Sequence, residues 1–390
     1  MTNWHIITCE YPPQVGGVSD YTKLLAREMR RAGDEVQVWA PAFASAEEPN
    51  VHRDLGAFLS RDLRHADEIL DRTPKPRTLL LQWVPHGYGK RGVNLGFARW
   101  ITARVRGGDR LYVMVHEPFL PYRGPWKHRL VSLLQRRMLR ELQYSATRVF
   151  MSIPAWEAHL QPYARPPMKF EWLPIPATID SSTDPQRVAQ IRASHGNDLM
   201  VGHLGTYSAE LRPLVGPAML KVLRDVPNAH SLLLGNRSDA FAAELRAQWP
   251  EFADRIHGEG LLSGSDLANH IAAFDLALQP FPDGLTTRRT SLMNVISRGV
   301  PVVSNLGHLT EQLWSDSQAV ALASTSEPTQ VAVLAAQLLH DENARRQLGA
   351  AGRGLYISRF DWPNIIATLR SSTDVAHATI ASTSSNQSDD

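Results

Sequence analysis

Two arginines stand side by side among four hydroxyls in "PFPDGLTTRRTSLMNVISRGVPVVSN", the stretch from Pro280 to Asn305. An apolar strand end and a glycine turn come first. Thr286, Thr287, Arg288, Arg289, Thr290 and Ser291 follow, then a helical pattern that stops at Gly299, then a second strand. Guanidinium groups present a fork of donors that matches phosphate oxygens. The amides of a helix N-terminus and the hydroxyls of Thr286, Thr287 and Ser291 would add to the same site. Cations at that end oppose the helix dipole by about 0.3–1 kcal/mol, and such a local conflict is a reason to expect function. The chemistry that fits is capture of a phosphate-bearing ligand; the plain alternative is a pair of surface salt bridges.

Other segments place reactive residues in similar positions. "YPPQVGGVSDYTKLLAREMRRAGDEVQVWAP" puts Gly16 and Gly17 in a tight turn that enters a helix, a ready anion site. It is not GxGxxG, so a nicotinamide cofactor is a poor fit. "VMVHEPF" sets His116 and Glu117 just past a buried strand, where ligands of open α/β sheets collect. "LQWVPHGYGKRG" offers His86, Tyr88, Lys90 and Arg91 in a glycine-rich loop, either an acceptor pocket or a plain exposed loop.

The elements that must hold these residues are legible as short apolar runs alternating with helical patterns. Strands are expected at 4–8, 35–40, 78–83, 110–115, 148–152 and 170–174, with a helix over Ser19–Ala32. A second set is expected at 199–205, 229–235, 255–260, 275–281 and 300–305. Alternation of this kind predicts parallel sheets covered on both faces. The fold class is therefore α/β, with two Rossmann-like, doubly wound domains. "LPIPATIDSSTDP" reads as the connection between them. The expected division is an N-terminal domain over 1–175, a C-terminal domain over 186–355, a closing helix over 356–370 entered at a proline, and a disordered tail over 371–390.

A single cysteine, Cys9, excludes a disulfide framework and a cysteine-rich metal site. No basic N-terminal region with an apolar core is present, so no secretory leader is expected. No apolar run approaches the roughly 18 residues of a membrane span. A cytoplasmic protein is the expectation. The net charge of +2 conceals an asymmetry: residues 1–172 carry 25 Lys+Arg against 17 Asp+Glu, and residues 173–390 carry 16 against 22. "PWKHRLVSLLQRRMLRELQ" (125–143) mixes leucines with Lys127, Arg129, Arg136, Arg137 and Arg140, a pattern suited to an anionic inner membrane face or to a buried helix with a wet side. No nucleic-acid partner is expected.

The order of these segments resembles the GT-B glycosyltransferases of family 4 (glycosyl transferases group 1). The N-terminal glycine loop, "HSLLLG", "LSGSDLANHIAAFDLALQPFPDG", "ISRGVPVVSN" and "RFDWPNIIATL" follow that family's order over about residues 1–370. The resemblance implies two domains facing across a cleft, a nucleotide-sugar on the C-terminal side, an acceptor on the N-terminal side, retention at the anomeric carbon, and neither metal nor cofactor. Gly17 matches the family's glycine loop near the donor phosphates, and His116 matches a histidine near the transferred sugar. The acceptor class implied is a glycan, a lipid-linked glycan or a small molecule, in polysaccharide or glycoconjugate biosynthesis.

The chain departs from the family at its paired glutamates, whose places fall on Thr286 and Asn294; Asp283 is the nearest acid. The family's basic residues after the first strand of the second domain are absent from "GHLGTYSAELRPL", where Arg212 is nearest. Arg288 and Arg289 then become the expected source of positive charge for the diphosphate, with Asn294 a candidate hydrogen-bonder to ribose or phosphate. The same departures leave open a catalytically weak sugar-nucleotide or glycan-binding protein, or a sugar-nucleotide epimerase.

Overall fold

The computed structural model describes residues 3–43, 48–179, 182–196 and 198–371. Its first sheet comprises β1 (Asn3–Ile7), β2 (Glu35–Trp39), β3 (Val51–His52), β4 (Arg77–Trp83), β5 (Arg110–Val115), β6 (Arg148–Met151) and β7 (Phe170–Trp172). The second comprises β8 (Leu199–Leu204), β9 (Ala229–Leu234), β10 (Ile256–Gly258), β11 (Leu276–Leu278), β12 (Val302–Asn305) and β13 (Ala321–Ala323). The strand orders are β3-β2-β1-β4-β5-β6-β7 and β10-β9-β8-β11-β12-β13, parallel throughout. Both orders reverse direction beside their first strand, between β1 and β4 and between β8 and β11. These are the two crevices where an open parallel sheet receives ligands.

Strands buried on both faces must be apolar along their whole length, and β4 is buried at all seven positions. Its first residue, Arg77, survives there because its guanidinium is paired with buried Asp109 at 2.7 Å and donates to the Leu70 carbonyl. A lone buried charge would cost several kcal/mol or more.

Each sheet carries apolar cores on its two faces. One of them joins Tyr21, Leu25 and Met29 of the first helix, Gly17–Arg31, to Trp362, Ile365, Ile366 and Leu369 of the last, Trp362–Arg370. That last helix therefore packs on the N-terminal sheet. Asp361 caps it through the Trp362 amide (2.8 Å), Pro363 lies in its first turn, and Arg148 of β6 grips its far end through the Leu369 and Thr368 carbonyls. The chain thus passes between domains twice, at Leu173–Ile179 and at Tyr356–Asp361. The passages touch: the Ala177 amide donates to Tyr356 Oη (3.2 Å), and Trp362 Nε1 donates to the Ala177 carbonyl (3.2 Å). The helix Pro185–Ala193 packs Ile191 into the C-terminal core. Residues 372–390, nearly all of the expected disordered tail, lie outside the described residues.

Candidate active site

The carboxyl ends of β5 and β6 face the loop that follows β11. Arg288 Nη1 donates to Glu117 Oε1, past the end of β5, at 2.8 Å. Its guanidinium carbon lies 5.3 Å from the ring centre of Trp156, just after β6. Thr287 Oγ1 lies 3.1 Å from the Ser152 carbonyl, and the Ile175 amide donates to the Thr287 carbonyl at 3.2 Å. The stretch from Pro280 to Arg289 is therefore where the two domains meet.

That loop is braced before any ligand arrives. Asn305, at the end of β12, mimics a strand partner: Oδ1 accepts from the Phe281 amide (2.8 Å) and Nδ2 donates to the Phe281 carbonyl (2.9 Å). Gly284 sits at φ +89° with the Gly307 backbone and Thr310 hydroxyl so close that a Cβ would stand 2.2 Å from Thr310 Oγ1. Only glycine fits there without displacing the loop after β12.

Asp283 holds both arginines from one side. Its Oδ2 accepts from Arg288 Nη2 (2.5 Å) and Arg289 Nη2 (3.0 Å). The Arg289 guanidinium also lies 4.6 Å from the ring centre of Phe281. Both Nε–H groups are buried and have no protein acceptor. Burial, then the charge of Arg288 beside it, pulls Arg289 below the usual arginine range. One shared carboxylate thus fixes both cations side by side, with their remaining Nε–H donors closed off by the protein itself.

The neighbouring hydroxyls are used differently from the sequence expectation. Thr287 has its amide and Oγ1 on buried Glu311 Oε1, at 2.9 and 2.6 Å, and Oγ1 also accepts from Trp172 Nε1. With its one proton directed to Glu311, it is a joint between domains and has nothing left for a phosphate. Asn294 is likewise occupied: Oδ1 accepts from the Thr178 and Ile179 amides, both at 2.9 Å, and Nδ2 donates to Thr178 Oγ1. It ties down the interdomain passage in place of a ribose or phosphate. Thr286 Oγ1 is buried without a partner, and Ser291 is half-buried in the first turn of the helix Thr290–Ile296.

The glycine turn also differs from expectation. Glu10 Oε1 accepts from the amides of Val18 and Ser19, both at 3.0 Å, so the helix end expected to cradle phosphate carries the chain's own carboxylate. Gly16 is required for that approach, since a Cβ there would lie 2.3 Å from Glu10 Oε1. Gly17 has no protein atom within 4 Å of a would-be Cβ. Gly17→Val is therefore expected to fold as wild type, and to lose donor use only if the ligand itself fills the open space beside this glycine. Far-UV circular dichroism with a transfer assay checks this, and full activity would reduce the glycine to a turn former.

His116 is buried at the end of β5. Its Nε2 pairs with Gln82 Oε1 at 2.8 Å, the edge of Tyr21 approaches to 5.1 Å between ring centres, and burial lowers its pKa to about 3. It is a neutral imidazole at pH 7. Tyr88 proves to be core, fully buried and stacked 4.4 Å from Phe97, while His86, Lys90 and Arg91 are exposed. Arg212 opens the helix Arg212–Asp225 and pairs with Glu244.

Residues 212–371 match the family model described as glycosyl transferase-like. No curated protein sequence matches the chain. Among solved structures, sucrose-phosphate synthase from Thermosynechococcus elongatus superposes with a TM-score of 0.70 at 15% identity, over 98% of this chain and 100% of that one. Anabaena HepE in complex with UDP and glucose gives 0.67 at 14%, over 95% and 98%. WaaG, a glycosyltransferase involved in lipopolysaccharide biosynthesis, gives 0.60 at 14%, over 94% and 98%. The architecture is that of the GT-B proteins. Within that architecture the C-terminal domain, over residues 212–371, is similar to the glycosyl transferase-like family.

Proposed function

We propose that the chain is a retaining hexosyltransferase that uses a nucleoside-diphosphate sugar. The observation that carries this reading is the paired guanidinium cluster of Arg288 and Arg289, oriented by Asp283 where the two domains meet. In the proposed step the acceptor oxygen bonds to the anomeric carbon as its bond to the diphosphate breaks. The acceptor proton passes to the departing phosphate oxygen on the same face of the sugar. The two arginines stabilise the charge that develops on the leaving group, where fixed donors contribute most. His116, neutral, hydrogen-bonds the sugar from the N-terminal side. This chemistry needs no enzymic nucleophile, which suits the absence of the paired glutamates.

HepE was crystallised with UDP and glucose and with UDP-glucose, which supports a nucleotide-sugar donor here. The test is a thermal-shift panel of UDP, GDP, ADP and their sugars, then NMR of the product anomer. A donor at 100 times its dissociation constant stabilises by about 2.7 kcal/mol. No stabilisation by any of them, or an inverted anomer, would overturn the proposal. A second reading, a binding protein with weak catalysis, is favoured by the diversion of Asn294 to a structural task. Donor binding without hydrolysis or transfer would select it.

We further propose that the acceptor is presented at an anionic membrane face. No helix of the described residues is long and apolar enough to cross a membrane. The helix Trp126–Ser145 instead buries Met138, Leu139 and Leu142 and turns Trp126, Leu130 and Leu133 outward, at 69%, 47% and 50% exposure. Lys127, Arg129, Arg137 and Arg140 are exposed around them. Arg136 is not part of this set, because it bonds Tyr163 Oη and Ser132 Oγ over the Phe119 ring. Aromatic and leucine side chains framed by cations suit insertion between anionic headgroups. The protein is expected to sediment with anionic vesicles and not with neutral ones, and Trp126→Ala with Leu130→Ala to abolish this. Equal partition to both vesicle types at low salt would refute it.

A further inference from the structure

Three histidines converge on one face of the second sheet, at the edge away from the cleft. His230 is the second residue of β9, His257 the middle residue of β10, and His195 lies in the turn before β8. The three segments are adjacent because the strand order runs β10-β9-β8. One ring nitrogen from each lies within 4.8 Å of the other two, and all three side chains are half-buried. The rings of His195 and His257 are 4.2 Å apart between centres, and His230 Nδ1 is 3.0 Å from His257 Nε2. Asp198 Oδ2 stands 3.3 Å from the opposite nitrogen, His230 Nε2.

This arrangement has a direction. A carboxylate on Nε2 holds the proton there and leaves the Nδ1 lone pair of His230 facing His257. That is the arrangement by which a carboxylate orients a metal-binding imidazole. The contact between His230 and His257 is then filled by a single shared proton, which a cation can replace once His257 moves its own proton to Nδ1. Tetrahedral bonds of about 2.05 Å require nitrogens about 3.3 Å apart, so a small rotation suffices for His230 and His257 from 3.0 Å, and the His195 ring closes in from within 4.8 Å. We propose that His195, His230 and His257 bind one divalent transition-metal ion of the zinc class, with water completing the shell and Asp198 as the positioning residue. Three imidazoles favour Zn²⁺, Cu²⁺, Ni²⁺ or Co²⁺ over Mg²⁺ or Ca²⁺. The site lies toward the amino ends of the strands, so the ion clips three segments of the C-terminal domain and takes no part in sugar transfer.

The test uses the full, untagged chain after chelator treatment, titrated with ZnCl₂ by calorimetry and with CoCl₂ by visible absorption. One equivalent is expected to bind, to raise the melting temperature, and to show imidazole ligation in the zinc X-ray absorption spectrum. Asp198→Asn is expected to keep the metal-free melting temperature and to weaken zinc about 10- to 100-fold. His257→Gln is expected to abolish saturable binding where the wild type is saturated. Less than one equivalent in the wild type, a spectrum without imidazole, or undiminished affinity in His257→Gln would each overturn the site. The X-ray absorption arm decides the matter if His257→Gln does not fold.

Discussion

Arg289→Ala is expected to weaken nucleoside-diphosphate binding about 10- to 150-fold, the equivalent of about 1.5–3 kcal/mol for a hydrogen bond to a charged group. Arg288→Ala is expected to do the same. Both effects gain from what stays behind. Asp283 neutralises part of the pair, and with one arginine removed its carboxylate opposes an incoming diphosphate. Glu117→Gln is the control, because it removes only the partner of Arg288 Nη1 on the other domain. It should leave nucleotide affinity close to wild type. Calorimetric titration with the best nucleotide from the thermal-shift panel provides the measurement. Unchanged affinity in both arginine variants would dispose of the arginine pair as the diphosphate site. A loss in Glu117→Gln equal to that in Arg288→Ala would show that Arg288 acts only through its interdomain ion pair.

His116→Ala is expected to lower turnover about 100-fold or more, the scale for one preorganised hydrogen-bond partner, while nucleotide binding stays nearly intact. The ring is uncharged in the folded protein at neutral pH. Its folded pKa of about 3 lies below the ordinary 6.5, so between those values the unfolded chain binds more protons than the native one. Stability from this residue is complete above about pH 6.5 and is lost as pH falls through that window toward 3. His203, also buried, with a pKa lowered to about 3 and an unpartnered Nδ1, adds to the same loss. At pH 5 each group forgoes up to about 2 kcal/mol. Urea midpoints should therefore fall from pH 7 to pH 5, and less steeply in His116→Gln. That variant also separates folding from function, since it keeps a polar group beside Gln82 without a titrating ring. Wild-type turnover in both variants would remove His116 from the reaction.

Most of the fold could be read from sequence because parallel strands buried on both faces are continuous apolar runs. "TLLLQW" and "RLYVMV" cannot be mistaken for amphipathic helix. β3 and β13 escaped notice because they are two and three residues long and mostly half-buried, with too little side chain to form a pattern. The arginine pair was legible for a local reason, two cations where a helix begins. What surrounds it was not. Glu117 reaches Arg288 from 171 residues away, and Thr178 reaches Asn294 across 116. No spacing rule reports such meetings. The hydroxyl and the amide that looked available for ligand, Thr287 and Asn294, were committed to partners visible only once the domains are assembled. Glu10 was missed for a smaller reason: a capping carboxylate eight residues ahead of its amide lies outside the usual capping spacings.

The two passages between domains lie against each other, joined at Ala177 by Tyr356 and Trp362. A door hung on two pins is held more narrowly than a door hung on one. If the halves open and close, the two passages must bend together at this junction, which limits how far the domains can slide apart. Glu117 and Trp156 then stay within a short search of Arg288, and part of the entropy of that search is spent once, at folding, rather than in every cycle. Cutting the chain after Leu355 would leave one pin. Both domains would keep their sheets, but they would be freer to slide apart.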